Sequence, residues 1–489
     1  MEGILSERRS YVAGKWVEGD EPLPVENPAD ESTVTEISAT PPGEIERAVV
    51  EARSSFDDGV WADLAPVERA RILRAFLDHV QASQAALVAT MVAEAGQPTT
   101  FAERAQFHAG LAMARGTIDL YLSMAHEEAS PVPADELVAG RVALSLRRHE
   151  PVGVVSAITP YNGAIVMALQ KIVPALLAGN SVILRPSPLT PISSLVFGAA
   201  ADAAGLPPGV LSVVVENGSA GAELLTTHPA VDMVSFTGST AVGRRILAQA
   251  APTIKRVGLE LGGKSAQIYL PDAVPKAAAG AVAVVAATAG QACVAATRML
   301  VPHDRKDEVL DAVSRAYSAL VVGAPTDPAT ALGPVISAAQ RERCEHFVSL
   351  AVENGGTVVC GGGRPDGLER GHYFEPTVLD LPDNANPAAQ EEIFGPVIGV
   401  LGYRDLDDAV RIANDSAYGL SGQVYGSDTA AATRVARRLR TGAVNVNTAL
   451  FTAYAPAGGY KQSGLGRERG PEGIRAYQEV KHLVVGELR

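Results

Sequence analysis

Residues 151–187 read PVGVVSAITPYNGAIVMALQKIVPALLAGNSVILRPS, and their pattern decides the fold. Residues 152–158 form a short apolar run rich in valine. Residues 164–177 are long enough for a helix, and residues 181–184 return to a short β-branched run. A strand covered on both faces reads as such a run, without alternation. The pattern continues as helix 192–204, strand 211–215, helix 221–227, strand 231–236 and helix 241–251. Strands separated by helices of this length imply a mostly parallel sheet, which binds ligands at the carboxyl ends of its strands.

Upstream, Val12-Ala13-Gly14-Lys15-Trp16 predicts a turn, and Ile45, Ala48, Val49, Ala52 and Phe56 recur at helical spacing. A further helical stretch is expected over 66–94, stopped by Gly96-Gln97-Pro98. Residues 126–133 read as a turn, and 141–148 alternate as a half-buried strand. That strand suits an arm pairing with another subunit or an ordinary surface hairpin. Downstream, residues 260–455 read as a second α/β unit with strands at 357–360, 397–401 and 443–447. A glycine-rich tail at 458–470 precedes a short strand near 483–485.

The chain of 489 residues is 47% hydrophobic and 20% charged, with a net charge of −14. This acidic surface argues against nucleic acid and anionic membrane as partners. Residues 277–296 carry no charge, but alanine and glycine dominate. They suit a buried helix running into a loop, so no membrane span is expected. The three cysteines, Cys293, Cys344 and Cys360, form no Cys-x-x-Cys pair, and the nine histidines show no ligand spacing. No metal is expected, and a reducing, cytoplasmic setting fits best.

Several short motifs carry reactive groups. Asn162 lies in Pro160-Tyr161-Asn162, Glu260 in Glu260-Leu261-Gly262-Gly263-Lys264, and Cys293 in Gly290-Gln291-Ala292-Cys293. Glu392 and Phe394 lie in Glu391-Glu392-Ile393-Phe394-Gly395-Pro396. Phe236-Thr237-Gly238-Ser239-Thr240 ends a strand and opens a helix, whose free N–H groups suit a pyrophosphate. Singly, each has an ordinary explanation: a β-turn, a helix cap or an inert core cysteine.

In this order, together with Gly458-Gly459-Tyr460-Lys461-Gln462-Ser463-Gly464, the motifs resemble the aldehyde dehydrogenase superfamily across nearly the whole chain. The resemblance implies two Rossmann-like α/β domains and a small strand arm. An NAD(P)-binding domain would take 1–125 and 151–259, a catalytic domain 260–455, and the arm and tail 126–150 and 456–489. It further implies oxidation of an aldehyde to the acid through a thioester on Cys293. Asn162 would donate to the oxyanion and Glu260 would activate water, with Lys171 and Glu468 relaying the proton. Ile158, Thr159, Pro160, Arg185, Ser187, Pro188, Gly218, Phe236, Thr237, Gly238, Ser239, Val242, Leu261, Glu392 and Phe394 would meet the cofactor. Gly163, Val166, Gln170, Ala292, Val294, Phe451 and Ala457 would line a pocket suited to a bulky or hydrophobic aldehyde.

Two departures matter. Arg185-Pro186-Ser187-Pro188 stands where relatives carry Lys-Pro-Ser-Glu, so the carboxylate that would repel a 2′-phosphate is gone. NAD is the first expectation, and NADP stays open. Ala457 replaces an aromatic residue. Homodimers or homotetramers are implied. A binding protein without turnover, or a thiol esterase without nicotinamide, are the competing readings.

Overall fold

The computed structural model describes residues 5–130, 143–286, 288–450 and 452–486. Its largest sheet has eight strands. At its centre, Leu211–Val213, Ser181–Arg185, Val154–Ile158, Met233–Thr237 and Arg256–Glu260 lie side by side and parallel. The first three run in reverse chain order and the last two forward. The order therefore switches between Val154–Ile158 and Met233–Thr237, where open parallel sheets leave a crevice for ligands. The strands Ser181–Arg185 and Val154–Ile158 are buried along their whole length, which explains their unbroken apolar sequence.

The helix Ala164–Leu177 is buried nearly all round. It is enclosed between the sheet and the helix Ala109–Ser123, so it needs no polar face. The stretch expected as one helix over 66–94 is two, Pro66–Ala82 and Gln84–Ala95, meeting at Ser83. Gly96 ends the second in the left-handed conformation that glycine adopts without strain.

A second sheet of seven strands runs Thr357–Cys360, Thr377–Asp380, Val397–Tyr403, Arg298–Pro302, Ala266–Tyr269, Ser421–Tyr425, Ala443–Val446. All neighbours are parallel except the first pair. The chain passes between the sheets once at the centre, directly from Arg256–Glu260 through Gly262 and Gly263 to Ala266–Tyr269.

The expected strand near 141–148 is Ala143–Pro151, paired antiparallel with Gln478–Gly486; Arg141 and Val142 lie outside the described residues. Part of the segment expected as a turn, Glu127–Ala129, is a third strand on the same ribbon. The glycine-rich tail also holds strands. Gly464–Leu465 joins the edge of the eight-stranded sheet beside Glu260, and Tyr460–Lys461 pairs with Tyr418–Gly419.

Arg298 is fully enclosed in the second unit. It donates to the carbonyls of Lys264, Ile412 and Ala413 and to Asn384 Oδ1, at 2.8–3.0 Å. Its role is to tie the crossing segment to the helix Leu406–Asn414. Replacing it by alanine strands several buried acceptors, at a cost of at least about 3 kcal/mol. The Arg298→Ala protein is expected to unfold at clearly lower urea concentration than wild type.

Candidate active site

The site forms where the crossing segment meets three other loops. A Cβ on Gly262 would sit 2.3 Å from Glu392 Oε2, and one on Gly263 would sit 2.5 Å from the Cys293 carbonyl. Glycine is therefore required at both positions for Glu392 and Cys293 to reach the chain leaving Glu260. The Gly263 N–H donates to Glu392 Oε1 at 3.0 Å. Burial holds the Glu392 carboxyl above its usual range, and this N–H partly offsets the effect.

Asn162 approaches from the other side. Its Nδ2 donates to the Gln291 carbonyl at 2.8 Å, two residues before Cys293, leaving its second N–H to serve another acceptor. The Asn162 carbonyl accepts from Gln97 Nε2 at 3.0 Å and Gln106 Nε2 at 2.8 Å. Gln291 fixes the cysteine loop. Its Oε1 accepts from Tyr161 Oη at 3.2 Å and the Ile336 N–H at 3.0 Å, and its Nε2 donates to the Thr288 carbonyl. Tyr161 meets Phe394 edge-to-face at 5.9 Å.

Burial pushes the Cys293 thiol up to about 12, and the carboxylates of Glu392 and Glu260 add to the shift. Arg469 and the Val294 N–H oppose it. Ala292, Cys293 and Val294 are all partly accessible to solvent. Glu260 is also held well above the usual carboxylate range, first by burial and then by Glu468, with Lys171, Arg467 and Arg469 opposing. Lys171 Nζ lies 2.5 Å from Glu468 Oε1 and 3.1 Å from Ser235 Oγ, which in turn lies 2.9 Å from Tyr477 Oη. A cavity of about 210 Å³ borders Glu260, Glu468, Ser235 and Tyr477, room enough for several waters.

The cofactor candidates gather at the switch point. Ile158 is in register with Arg185 on one side and Phe236 on the other, and Thr237 with Glu260. Thr159 follows Ile158, and its N–H bonds the Arg185 carbonyl at 3.1 Å. The buried Thr159 Oγ1 and Thr237 Oγ1 have no hydrogen-bond partner among the described residues. Gly238 lets the Phe236 ring turn back: a Cβ there would lie 2.4 Å from Phe236 Cζ. Ser239 caps the helix Thr240–Ala250, accepting from the Val242 N–H at 3.4 Å, and Leu261 packs against Gly243 of that helix. Gly218 (φ 110°) faces open space. Pro160, Ser187 and Pro188 sit on the loops after the first two strands of this crevice. Unpartnered hydroxyls, a helix N-terminus and open glycine backbone fit a dinucleotide with its pyrophosphate.

Of the pocket candidates, Gly163, Val166 and Gln170 lie buried on or beside the helix Ala164–Leu177. Gln170 Oε1 accepts from Arg469 Nη2 at 3.4 Å. Ala457 is bridged by two backbone bonds to Glu468, so it holds that carboxylate in place. Phe451 lies outside the described residues. Sequence reasoning missed Ser235, Tyr477 and Arg469. Only Arg469, beside Glu468 in the tail, carried a charge that signals a role.

An amide bonded to the loop that carries a cysteine, with buried carboxylates acting on its thiol beside the crevice at the switch point, fits a thiol-based oxidoreductase. The chain belongs to the aldehyde dehydrogenase family, whose model matches residues 16–483. Geranial dehydrogenase of Castellaniella defragrans is 39% identical over 98% of this chain and 99% of its own. A mutant of aldehyde dehydrogenase C from Pseudomonas syringae, crystallised with NAD+ and octanal, has TM-score 0.92 and 36% identity, covering 97% of this chain and 96% of its own. Betaine aldehyde dehydrogenase of Staphylococcus aureus in complex with NAD+ has TM-score 0.93 and 34% identity, covering 98% and 95%.

Among the described residues, no helix is long and apolar enough to cross a membrane, and no group of three or more His, Cys, Asp or Glu could hold a metal. With its thiol held up, Cys293 in the free protein is almost wholly protonated at neutral pH. Its alkylation by iodoacetamide, followed by mass spectrometry, is expected to be slower than that of free cysteine (pKa about 8.5) and still rising above pH 9.

Proposed function

We propose that this chain oxidises an aldehyde to the carboxylic acid with NAD(P)+, using Cys293 as nucleophile, Asn162 as oxyanion donor and Glu260 as base. The approach of Glu392 and the Cys293 carbonyl to the Gly262–Gly263 crossing that follows Glu260, with Asn162 bonded to the cysteine loop, carries this reading. Glu260 takes the thiol proton and hands it on toward Glu468 and Lys171, and the sulfur adds to the aldehyde carbon, forming the anionic thiohemiacetal. The free N–H of Asn162 and the Cys293 backbone N–H stabilise the oxygen charge. Bound NAD(P)+ supplies the hydride acceptor, which leaves a thioester on Cys293. Glu260 then takes a proton from water in the adjoining cavity, and hydroxide cleaves the thioester to the acid and free thiol. Lys171 and Glu468 pass the proton outward. Glu392 and Phe394 hold the nicotinamide riboside, and the strand ends around Ile158, Arg185 and Phe236 hold the adenosine.

In this reading, residues 1–125 and 151–259 form the cofactor domain, 260–455 the catalytic domain, and 126–150 with 456–489 the arm and tail. The ribbon of Ala143–Pro151 and Gln478–Gly486 exposes Leu144, Val480, Val484 and Val485, each at least half accessible. A second copy of the chain covers this face, giving a homodimer or homotetramer. The three free cysteines suit the cytoplasm. Geranial and octanal, in the names of two relatives, favour a bulky hydrophobic aldehyde.

Reduced-nicotinamide absorbance with a panel of aldehydes tests the assignment. Octanal is expected to exceed acetaldehyde in kcat/KM. Asn162→Ala is expected to lose on the order of a hundredfold or more in kcat, and Cys293→Ala all turnover. Full rate in Cys293→Ala refutes the mechanism.

The pH profile follows from the carboxylates. Glu260 works deprotonated, so thioester hydrolysis is lost as pH falls through its raised pKa. The acid limb is expected above the ordinary glutamate value of about 4.3. Glu468→Gln removes an anion that raises this pKa, so the limb moves to lower pH. Lys171→Met removes an opposing cation and moves it higher.

A further inference from the structure

An arginine at the adenosine end of such a crevice is the usual reader of a 2′-phosphate, because its planar fork matches phosphate oxygens. Arg185 stands there, at the end of Ser181–Arg185 and in register with Ile158. Its fork is already engaged. Nε donates to Glu216 Oε1 at 2.8 Å, and Nη2 donates to the Gly218 carbonyl at 2.6 Å. The pair is nearly closed to solvent, with side-chain exposures of 10% and 5%.

Glu216 does a second thing. Its Oε2 accepts from the Gly221 N–H at 2.6 Å and its Oε1 from the Ala222 N–H at 2.9 Å. These are first-turn donors of the helix Ala220–Thr227, the groups that elsewhere attract phosphate. Gly221 is needed for this approach, since a Cβ there would lie 2.8 Å from Glu216 Oε2. One internal carboxylate thus satisfies both anion-attracting elements at this end. Ser187 is also occupied, its Oγ accepting from the Leu189 N–H at 3.2 Å, and Pro188 has no N–H to offer.

We propose that Glu216 determines cofactor choice: by locking Arg185 and filling the helix N-terminus from within, it excludes the 2′-phosphate of NADP and makes the enzyme selective for NAD. The carboxylate missing at Pro188 is replaced in effect by one from the end of the neighbouring strand. It acts by consuming positive charge rather than by touching the ribose. A 2′-phosphate would have to lose its water beside a neutralised arginine and a fixed carboxylate, and such like-charge contact is costly. The proposal rests on the reading of this crevice as the dinucleotide site.

Titration calorimetry with 5′-AMP and 2′,5′-ADP, which differ only in the 2′-phosphate, tests it without turnover. Wild type is expected to bind 5′-AMP at least about tenfold more tightly. In Glu216→Gln, which keeps an acceptor for Arg185 but removes the charge, the ratio is expected to shift about tenfold toward 2′,5′-ADP. The ratio of kcat/KM for NAD and NADP should shift in the same direction. Equal or tighter binding of 2′,5′-ADP by wild type overturns the proposal, as does an unchanged ratio in a folded Glu216→Gln protein. Should that variant unfold, the wild-type titration and Arg185→Gln decide. Arg185→Gln is expected to leave 2′,5′-ADP no weaker relative to 5′-AMP, and a selective loss of 2′,5′-ADP overturns the proposal. If neither nucleotide binds, the dinucleotide reading itself falls, and the cofactor proposal with it.

Discussion

The site depends on one close approach. Where the chain leaves the eight-stranded sheet for the seven-stranded one, Gly262 and Gly263 present hydrogen where any other residue presents carbon. Glu392 and the Cys293 carbonyl occupy that space. A methyl group on either glycine would push apart two loops that come from distant parts of the second unit. The same crossing segment begins with Glu260 and continues to Lys264, whose carbonyl is held by the buried Arg298. Glu260, Cys293 and Glu392 are thus placed by one short stretch of backbone under steric constraint.

That arrangement crowds acids around a thiol. Burial raises Glu260, Glu392 and Cys293, Glu468 adds to the shift on Glu260, and Glu392 and Glu260 add to that on Cys293. The cations that offset them, Lys171, Arg467 and Arg469, come from the central helix and the tail. The resting site consequently retains protons. The proton route proposed through Lys171 and Glu468 borders a cavity with room for several waters. At the other end of the crevice the balance is reversed: the Glu216 carboxylate cancels the Arg185 cation. Charge is tuned in opposite senses at the two ends, in both cases by side chains that stay out of bulk water.

The parallel strands Val154–Ile158, Ser181–Arg185 and Met233–Thr237 were legible in the sequence because each is buried along its length and so carries a mostly apolar run, whereas Arg256–Glu260, partly exposed and interrupted by Gly258, carries none. The helix 164–177 was placed to the residue for a related reason, since its enclosure leaves no polar stripe to blur its ends. Legibility failed where pairing, rather than side-chain pattern, makes the element. Glu127–Ala129 has no strand signature and exists through its bonds to Ala143–Pro151. Gly464–Leu465 looks like a loop until the edge beside Glu260 recruits it. The ordered motifs made Asn162, Glu260, Cys293 and Glu392 visible. Partners far apart in sequence, such as Lys171 with Ser235 or Arg185 with Glu216, leave no local trace. Their meaning comes only from the register of neighbouring strands.

Tyr477 joins two parts of the molecule that the sequence presents separately. Its hydroxyl contacts Ser235 in the chain of groups leading to Lys171 and Glu468, and its carbonyl accepts from the buried Asn180 and from the Val152 N–H. The next residue begins the long strand Gln478–Gly486 of the exposed ribbon. Tyr477 thus ties the start of that ribbon to Ser235 and, through it, to Lys171 and Glu468. The apolar ribbon and the acid-rich pocket therefore share an anchor, set by the hydroxyl and the carbonyl of one residue.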